Sequence, residues 1–385
     1  MDIDNALVLR KFVAPEFVFG PQASGLAAQY LRNFQAASVL LVTDPGIVAA
    51  GWVEPVKSML LDQGMRVTVF SEVTPNPRDH EVMAGAEVFR SRECEALLGI
   101  GGGSAIDCAK GIGAVCTNNR HILEFEGVDQ VAQPCPPLVC IPTTSGSAAD
   151  VSQFAIINDT VRQVKIAIVS KAMVPDVSLI DPELTVTMPP DLTANTGMDA
   201  LTHAVEAFVS NASSPITDQL ALSAIRRVFV SLPRAMNEPR DITARAQMQL
   251  ACLEAGLAFS NAILGAVHAL AHSLGGLLDL PHGECNAILL PPVMAFNAPS
   301  CPERFEAMAR TLGLDFGPGE AAGAMIQAVE ELKKRLGLTR TLSAIGVRPE
   351  DLDRLAEKAL KDPCLLTNPR VASLADLKGI YARAM

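Results

Sequence analysis

Four of the six histidines in this 385-residue chain fall in two short, otherwise apolar stretches. Gly197-Met198-Asp199-Ala200-Leu201-Thr202-His203 sets an acid and an imidazole four residues apart, and Ala262 to Gly283 (AILGAVHALAHSLGGLLDLPHG) carries His268, His272 and His282. Residues four apart share a helix face, roughly 6 Å apart along the axis. His282 follows a Gly275-Gly276 break and Pro281, where a chain leaving a helix turns back towards its own flank. Imidazoles and one carboxylate, with no thiol among them, suit a divalent metal of the zinc or iron type. One Asp–His pair at this spacing is often only a surface hydrogen bond. The concentration of both pairs in apolar sequence, where unpaired polar groups are costly to bury, favours a metal site. By spacing alone, His268 and His272 are equal candidates for it.

Two loops suggest a second chemistry. Gly101-Gly102-Gly103-Ser104 follows a buried apolar run and opens a helical pattern at Ala105. Glycines there let backbone N–H groups approach an anion at a helix N-terminus. The dinucleotide fingerprint is imperfect, since Ser104 takes its last glycine position and no clear acid follows about 20 residues on. Asp44 instead lies upstream, at the end of an apolar run, where a carboxylate reaches a ribose across strand ends. Ser104 with Asp107 also makes a plausible capping box, which needs no ligand. The second loop, Pro142-Thr143-Thr144-Ser145-Gly146-Ser147, follows another apolar run and offers hydroxyl donors.

The elements that must position these residues change character along the chain. Ser38–Thr43, Arg66–Phe70, Ala96–Ile100 and Leu138–Ile141 read as strands buried on both faces, with helices near Trp52–Gln63 and Asp79–Arg92 between them. That alternation predicts a parallel sheet flanked by helices. Phe154–Ile157 and Val164–Val169, with Asn158-Asp159 between them, read as an added hairpin. From Pro189-Pro190-Asp191 onward the pattern is helical: Leu192–Ser210, Asp218–Ser231, Thr243–Ser260, Ala262–Leu278, Pro302–Leu312, Glu320–Leu336 and two more. The expected division is an α/β domain over 1–187 and an all-α domain over 188–385.

Composition bounds the rest. Apolar residues make up 49% and charged residues 19%, which fits compact domains. A net charge of −11 argues against nucleic acid or an anionic membrane as partner. The nine cysteines form no CxxC pair and read as reduced core thiols of a cytoplasmic protein. Asp2 and Asp4 stand where a basic-then-apolar leader would begin. Ala255–Leu280 has no Lys, Arg or Glu and is long enough to span a bilayer, but Ser260, Asn261, His268, His272 and Ser273 interrupt it, so a buried helix is expected.

Taken together, VTD (Val42–Asp44), TPNP (Thr74–Pro77), IGGGSAIDCAK (Ile100–Lys110), PTT-SG (Pro142–Gly146), GMDALTHAVEA (Gly197–Ala207), GAVHALAHSLGG (Gly265–Gly276), PHGECNAI (Pro281–Ile288) and NPR (Asn368–Arg370) resemble the iron-containing, or group III, alcohol dehydrogenase family. The resemblance covers nearly the whole chain. It implies an N-terminal dinucleotide-binding α/β domain with a parallel sheet and an all-α metal-binding domain, the fold shared with dehydroquinate synthase. It assigns the metal, Fe(II) with Zn(II) as the alternative, to Asp199, His203, His268 and His282, leaving His272 as a catalytic non-ligand. Asp44 matches the acid that holds the adenosine ribose and disfavours a 2′-phosphate, which implies NAD. Asn76, Gly102, Gly103, Ser104, Thr143, Thr144, Ser147, Ser152 and Lys165 match dinucleotide contacts, and Phe154 and Phe259 match positions bordering the substrate cavity. One departure stands out: Ser145, Ser147, Ala148, Ala149 and Asp150 occupy positions more often Ala, Thr, Gly, Ser and Glu.

The implied activity is a metal- and NAD-dependent alcohol dehydrogenase, interconverting a small primary alcohol or diol and its aldehyde, in a homodimer or higher homo-oligomer. Alternatives on the same fold are a hydroxyacid–oxoacid transhydrogenase, which would keep its NAD bound, and a dehydroquinate synthase-like lyase. The lyase needs several cations for a phosphorylated, carboxylated substrate, and Ala255–Leu280 supplies no Lys or Arg. A non-catalytic metal-binding scaffold would leave the glycine loop and Asp44 unexplained.

Overall fold

A computed structural model describes residues 9–385; Asp2 and Asp4, on which the reading of the N-terminus rested, lie outside them. The chain forms two compact units, one over Val13–Met188 and one built on Pro189–Met385.

The first unit runs β1 (Glu16–Phe19), α1 (Ala27–Asn33), β2 (Ser38–Val42), α2 (Pro45–Ala49), α3 (Val53–Asp62), β3 (Arg66–Phe70), α4 (Asp79–Ser91), β4 (Ala96–Gly101), α5 (Gly103–Asn118), β5 (Gly127–Val128), β6 (Leu138–Pro142), β7 (Phe154–Asp159), β8 (Val164–Val169) and β9 (Val177–Ile180). Six strands form a parallel sheet in the order β1-β9-β6-β4-β2-β3. Its central strands are apolar throughout because both faces are covered. Leu40, Val42, Leu97 and Cys140 enter one core, and Val39, Leu41, Leu98, Val139 and Ile141 the other. From β2 the chain moves outward to β3, then returns to place β4 on the other side of β2. This reversal makes the C-terminal ends of β2 and β4 a topological switch point, where α/β sheets bind ligands. Asp44 follows β2 and the glycine loop follows β4.

β7 and β8 pair antiparallel, and β5 joins β8 to make a second, three-stranded sheet. Asn158 and Asp159 belong to β7 rather than to the turn, which bends at Gln163 with φ 54°. β1 and β5 escape a sequence reading because they are short and half exposed.

The second unit is helical: α6 (Pro190–Val209), α7 (Pro215–Asn237), α8 (Ile242–Ala262), α9 (Ala266–Leu278), α10 (His282–Asn297), α11 (Pro302–Thr311), α12 (Ala321–Arg335), α13 (Leu352–Ala359) and α14 (Leu374–Ala384). α6 and α7 approach closely at Gly197, where a Cβ would lie 2.3 Å from Leu232 Cδ1.

The apolar run divides where the two helical patterns meet: α8 ends at Ala262, Ile263 takes φ 63°, and α9 leaves at 98° to α8. A positive φ is strained for a β-branched residue, so packing holds this corner. No single helix among the described residues is long and apolar enough to cross a membrane. Two expectations are corrected here. Gly275 and Gly276 lie inside α9, and the chain breaks instead at Asp279, with φ 51°. α10 has no counterpart among the helices named from sequence; Pro291 and Pro292, residues that forfeit backbone hydrogen bonds in a helix interior, both sit inside it.

Candidate metal centre and dinucleotide loops

α6 supplies Asp199 and His203 one turn apart, α9 supplies His268, and His282 is the first residue of α10. Asp199 Oδ1 lies 3.7 Å from His268 Nε2, 3.7 Å from His282 Nε2 and 3.8 Å from His203 Nε2. Donors tetrahedrally arranged at ~2.1 Å from one cation stand roughly 3.4 Å apart; Asp199, His268 and His282, whose ligand atoms all lie within 4.8 Å of one another, fit such spacing, and His203 adjoins them through Asp199. The rings are held by stacking: His203 lies 4.6 Å from His268 and 4.3 Å from Phe259, centroid to centroid. Burial would raise the Asp199 carboxyl, but the surrounding imidazoles hold it well below the usual carboxylate range.

Glu206 extends the acidic face of α6 by two further turns from Asp199. Its Oε2 is 2.5 Å from His268 Nδ1, and its Oε1 accepts from the Val267 N–H at 2.6 Å. Burial lowers the His268 imidazole, yet Glu206 and Asp199 together raise it to about 9. Two carboxylates buried among imidazoles thus demand positive charge at this point, which a divalent cation on the Nε2 side would supply. Asn368 completes the start of α9: its Oδ1 accepts from the Ala266 N–H at 3.1 Å and from Asn297 Nδ2 at 3.0 Å. Gly265 is required beside them, since a Cβ there would lie 2.9 Å from Asn368 Oδ1 and 3.0 Å from Glu206 Oε1.

His272, the other candidate on the His268 face, is occupied differently. Its Nδ1 is 2.9 Å from Asp362 Oδ2, and its ring stacks on His282 at 5.5 Å. Burial would raise Asp362, but His272 and the Cys364 N–H hold its carboxyl low. Asp362 therefore accepts and His272 Nδ1 donates.

In the α/β unit, Asp44 caps α2 through an Oδ1 bond from the Ile47 N–H at 3.0 Å. A Cβ on Gly101 would come 3.2 Å from its Oδ2 and 2.7 Å from Ala105 Cβ, and Gly101 has φ 154°. A Cβ on Gly103 would meet Ser147 Oγ at 2.7 Å, and one on Gly102 would meet Thr144 Cγ2 at 3.2 Å. The two loops are therefore packed against one another. Ser104 Oγ accepts from the Asn76 N–H at 3.2 Å, and Lys165 Nζ donates to Asn76 Oδ1 at 2.7 Å. The capping box is not formed: Gly102 is the N-cap, and Asp107 accepts from the Ile156 N–H at 3.1 Å. Thr143 Oγ1 and Ser145 Oγ are buried with no hydrogen-bond partner among the described residues. Orphaned hydroxyls beside a glycine cradle at a switch point suit the phosphates and amide of a dinucleotide.

Beneath this cradle, fully buried Lys110 donates to the carbonyls of Ser152 and Phe154 at 2.8 and 2.7 Å, tying α5 to the start of β7. Ser152 thus enters through its backbone, and Phe154 is buried in β7. In the second loop, Ala148 adopts φ 49°, a conformation that costs a non-glycine residue roughly 1–2 kcal/mol.

Residues 14–182 match the family model described as iron-containing alcohol dehydrogenase, and residues 193–385 match that of the Fe-containing alcohol dehydrogenase family, C-terminal. The chain belongs to the iron-containing alcohol dehydrogenase family. Among its relatives, alcohol dehydrogenase 4 of Schizosaccharomyces pombe is 41% identical over 384 residues, covering 99% of this chain and 90% of that one. The NAD-dependent methanol dehydrogenase of Bacillus methanolicus is 38% identical over 377 residues, covering 97% and 99%. A solved structure of 1,3-propanediol oxidoreductase superposes with a TM-score of 0.95 at 38% identity, covering 98% of this chain and all of that one. For this iron-containing alcohol dehydrogenase, sequence reasoning omitted Glu206, Asp362 and Asn286. Glu206 carried a signal, as an acid seven residues beyond Asp199 on an apolar helix. Asp362 carried none, because only the fold brings it to His272.

Proposed function

We propose that the protein oxidises a small primary alcohol or diol to its aldehyde, and runs the reverse reduction, with NAD and a divalent metal as cofactors. The observation that carries this reading is the convergence of three imidazole Nε2 atoms on Asp199 Oδ1 within 3.7–3.8 Å. Bound by Asp199, His203, His268 and His282, the cation supplies Lewis acidity towards an alcohol or carbonyl oxygen, and NAD supplies the two-electron exchange. Asp199 offsets the charge of that cation, and Glu206 fixes His268 with Nε2 free to ligate. His272, with its Nδ1 proton anchored on Asp362, offers Nε2 to take up or return the hydroxyl proton. Asp44 offers a carboxylate to the ribose hydroxyls and repels a 2′-phosphate. Asn76, Gly102, Gly103, Ser104, Thr143, Thr144, Ser147, Ser152 and Lys165 form the remainder of the nucleotide site. Phe259, whose ring stacks on His203 at 4.3 Å, gives the metal centre an apolar border suited to a short carbon chain.

Fe(II) is the metal proposed, with Zn(II) as the alternative that a nitrogen–oxygen donor set accepts equally in geometry. The nine free thiols support a reducing, cytoplasmic compartment. A homodimer or higher homo-oligomer belongs to the same reading, to be checked by sedimentation velocity. The deciding experiment is a panel of short alcohols, diols and aldehydes, run anaerobically on protein loaded separately with Fe(II) and Zn(II), following NADH with free NAD or NADP. Metal-dependent turnover of free NAD, preferred over NADP, is expected. Turnover of a hydroxyacid–oxoacid pair without added NAD would favour the transhydrogenase, and no alcohol-dependent NADH with either metal would overturn the assignment.

A further inference from the structure

Asn286 lies one turn into α10, four residues after His282, and is fully buried. Its Nδ2 stands 2.7 Å from Asp199 Oδ1, 3.2 Å from His282 Nε2 and 3.3 Å from His268 Nε2. Its Oδ1 is also buried and finds no hydrogen-bond partner among the described residues. A buried carbonyl left unpaired typically costs about 1–3 kcal/mol, so a packing role alone is poorly served by an amide here. Turning the amide over would not relieve it, because an oxygen would then face the Asp199 carboxylate at hydrogen-bond distance. The orientation is therefore dictated by the nitrogen, which reaches three of the four ligand groups of the proposed metal site.

Those three acceptors do not behave alike when a cation is held. Each His Nε2 has a single lone pair, which ligation consumes, whereas a carboxylate oxygen keeps a second one. The Asn286 N–H can then remain only on Asp199. We infer that Asn286 is a positioning residue of the metal centre: its amide fixes the rotation of the Asp199 carboxylate and keeps the ligand atoms apart, so that they meet a cation without rearranging. The inference rests on the metal site proposed above. It adds an outer partner on the Asp199 side to the one Glu206 provides on the His268 side.

Two substitutions of similar volume test it. Asn286→Leu removes the amide, and Asn286→Asp sets a second carboxylate against Asp199. Zn(II) affinity is measured by competition with a chromogenic chelator, and thermal unfolding is followed with and without Zn(II). The parent is expected to bind one Zn(II) per chain. Asn286→Leu should weaken binding about 10–100-fold, the usual effect of losing an outer-shell partner. Asn286→Asp should melt lower than the parent when stripped, from carboxylate repulsion, and should gain more from Zn(II) than the parent gains. Affinities within twofold of the parent, together with Tm losses equal in the stripped and loaded forms, would show a packing residue and overturn the inference. If Asn286→Leu does not fold, Asn286→Asp decides alone: a Zn(II)-induced Tm gain no larger than the parent's overturns it. A parent that binds no Zn(II) or Fe(II) removes the metal site itself, which separates that failure from the failure of Asn286.

Discussion

Glu206 and Asp199 sit on one face of α6 and bracket the His268 ring, one at each nitrogen. The carboxylate on Nδ1 settles which nitrogen carries the proton, and it adds negative charge where the proposed cation binds. Glu206→Gln keeps the shape, and its amide oxygen still accepts from the Val267 N–H, but that charge is lost. Metal affinity is expected to fall about 10–100-fold with the helical far-UV spectrum unchanged; chelator competition measures it, and parental affinity would reduce Glu206 to a helix cap. His272 separates from the ligands by the same reasoning. His272→Ala should retain full metal occupancy while kcat falls by up to ~10²–10⁴-fold, less if water replaces the proton acceptor. Loss of metal in that variant would instead make His272 a ligand. From sequence spacing His268 and His272 were indistinguishable. The proposed difference rests on the contact with Asp362, which lies 90 positions further along the chain than His272 and is therefore invisible to local pattern.

At the scale of elements, the site depends on α10 starting hard against α6. Gly283, next to His282, has room for hydrogen only, because a Cβ would lie 2.5 Å from the Asn195 carbonyl oxygen. The obstacle is backbone, so Gly283→Ala should push the first turn of α10 away. A loss of about 1–3 kcal/mol is expected, as for overpacking, together with weakened metal binding. Gly323→Ala in α12 is the control, since nothing lies within 4 Å of its added methyl, and it should be neutral or gain about 0.5–1 kcal/mol. Denaturant unfolding of both variants checks the pair; equal effects would contradict the contact. The strands β2, β4 and β6 begin at the residues where their apolar runs begin, because burial on both faces leaves a continuous signal; Arg66–Phe70, expected to be buried on both faces, is instead the partly exposed edge strand β3. α10 left no such signal. Its prolines forfeit backbone bonds that an isolated helix needs, and the buried packing of Cys285, Ile288, Leu289, Leu290 and Val293 compensates. At the Ile263 corner the helical patterns do divide in the sequence, but the conformation leaves no signal, since a β-branched residue is the last type expected at positive φ.

On the scale of the whole molecule, the two proposed cofactor sites draw on separate units. Asp199, His203, His268 and His282 all lie beyond Pro189, whereas Asp44, Asn76, the glycine loop, the Thr143 loop and Lys165 all lie before Met188. A ligand that binds only the folded state stabilises it by RT ln(1 + [L]/Kd), about 2.7 kcal/mol at a hundredfold excess over Kd. That stabilisation is felt first in the segments that must stay ordered for the ligand to bind, since proteins open in local cooperative units. Removing the metal should therefore speed amide hydrogen exchange in α6, in α9 from Val267 onward and in the first turns of α10, where imidazole and carboxylate charges would be left buried without their cation. β2, β4 and β6 should keep their protection. Adding NAD to the metal-loaded protein should slow exchange at the amides of residues 101–104 and 142–147, with little change in α9. Hydrogen exchange read by mass spectrometry on one preparation, with chelator and with NAD in turn, measures both arms. Equal deprotection of the sheet and of α9 by the chelator would mean that the metal is not held where Asp199 and the three histidines converge.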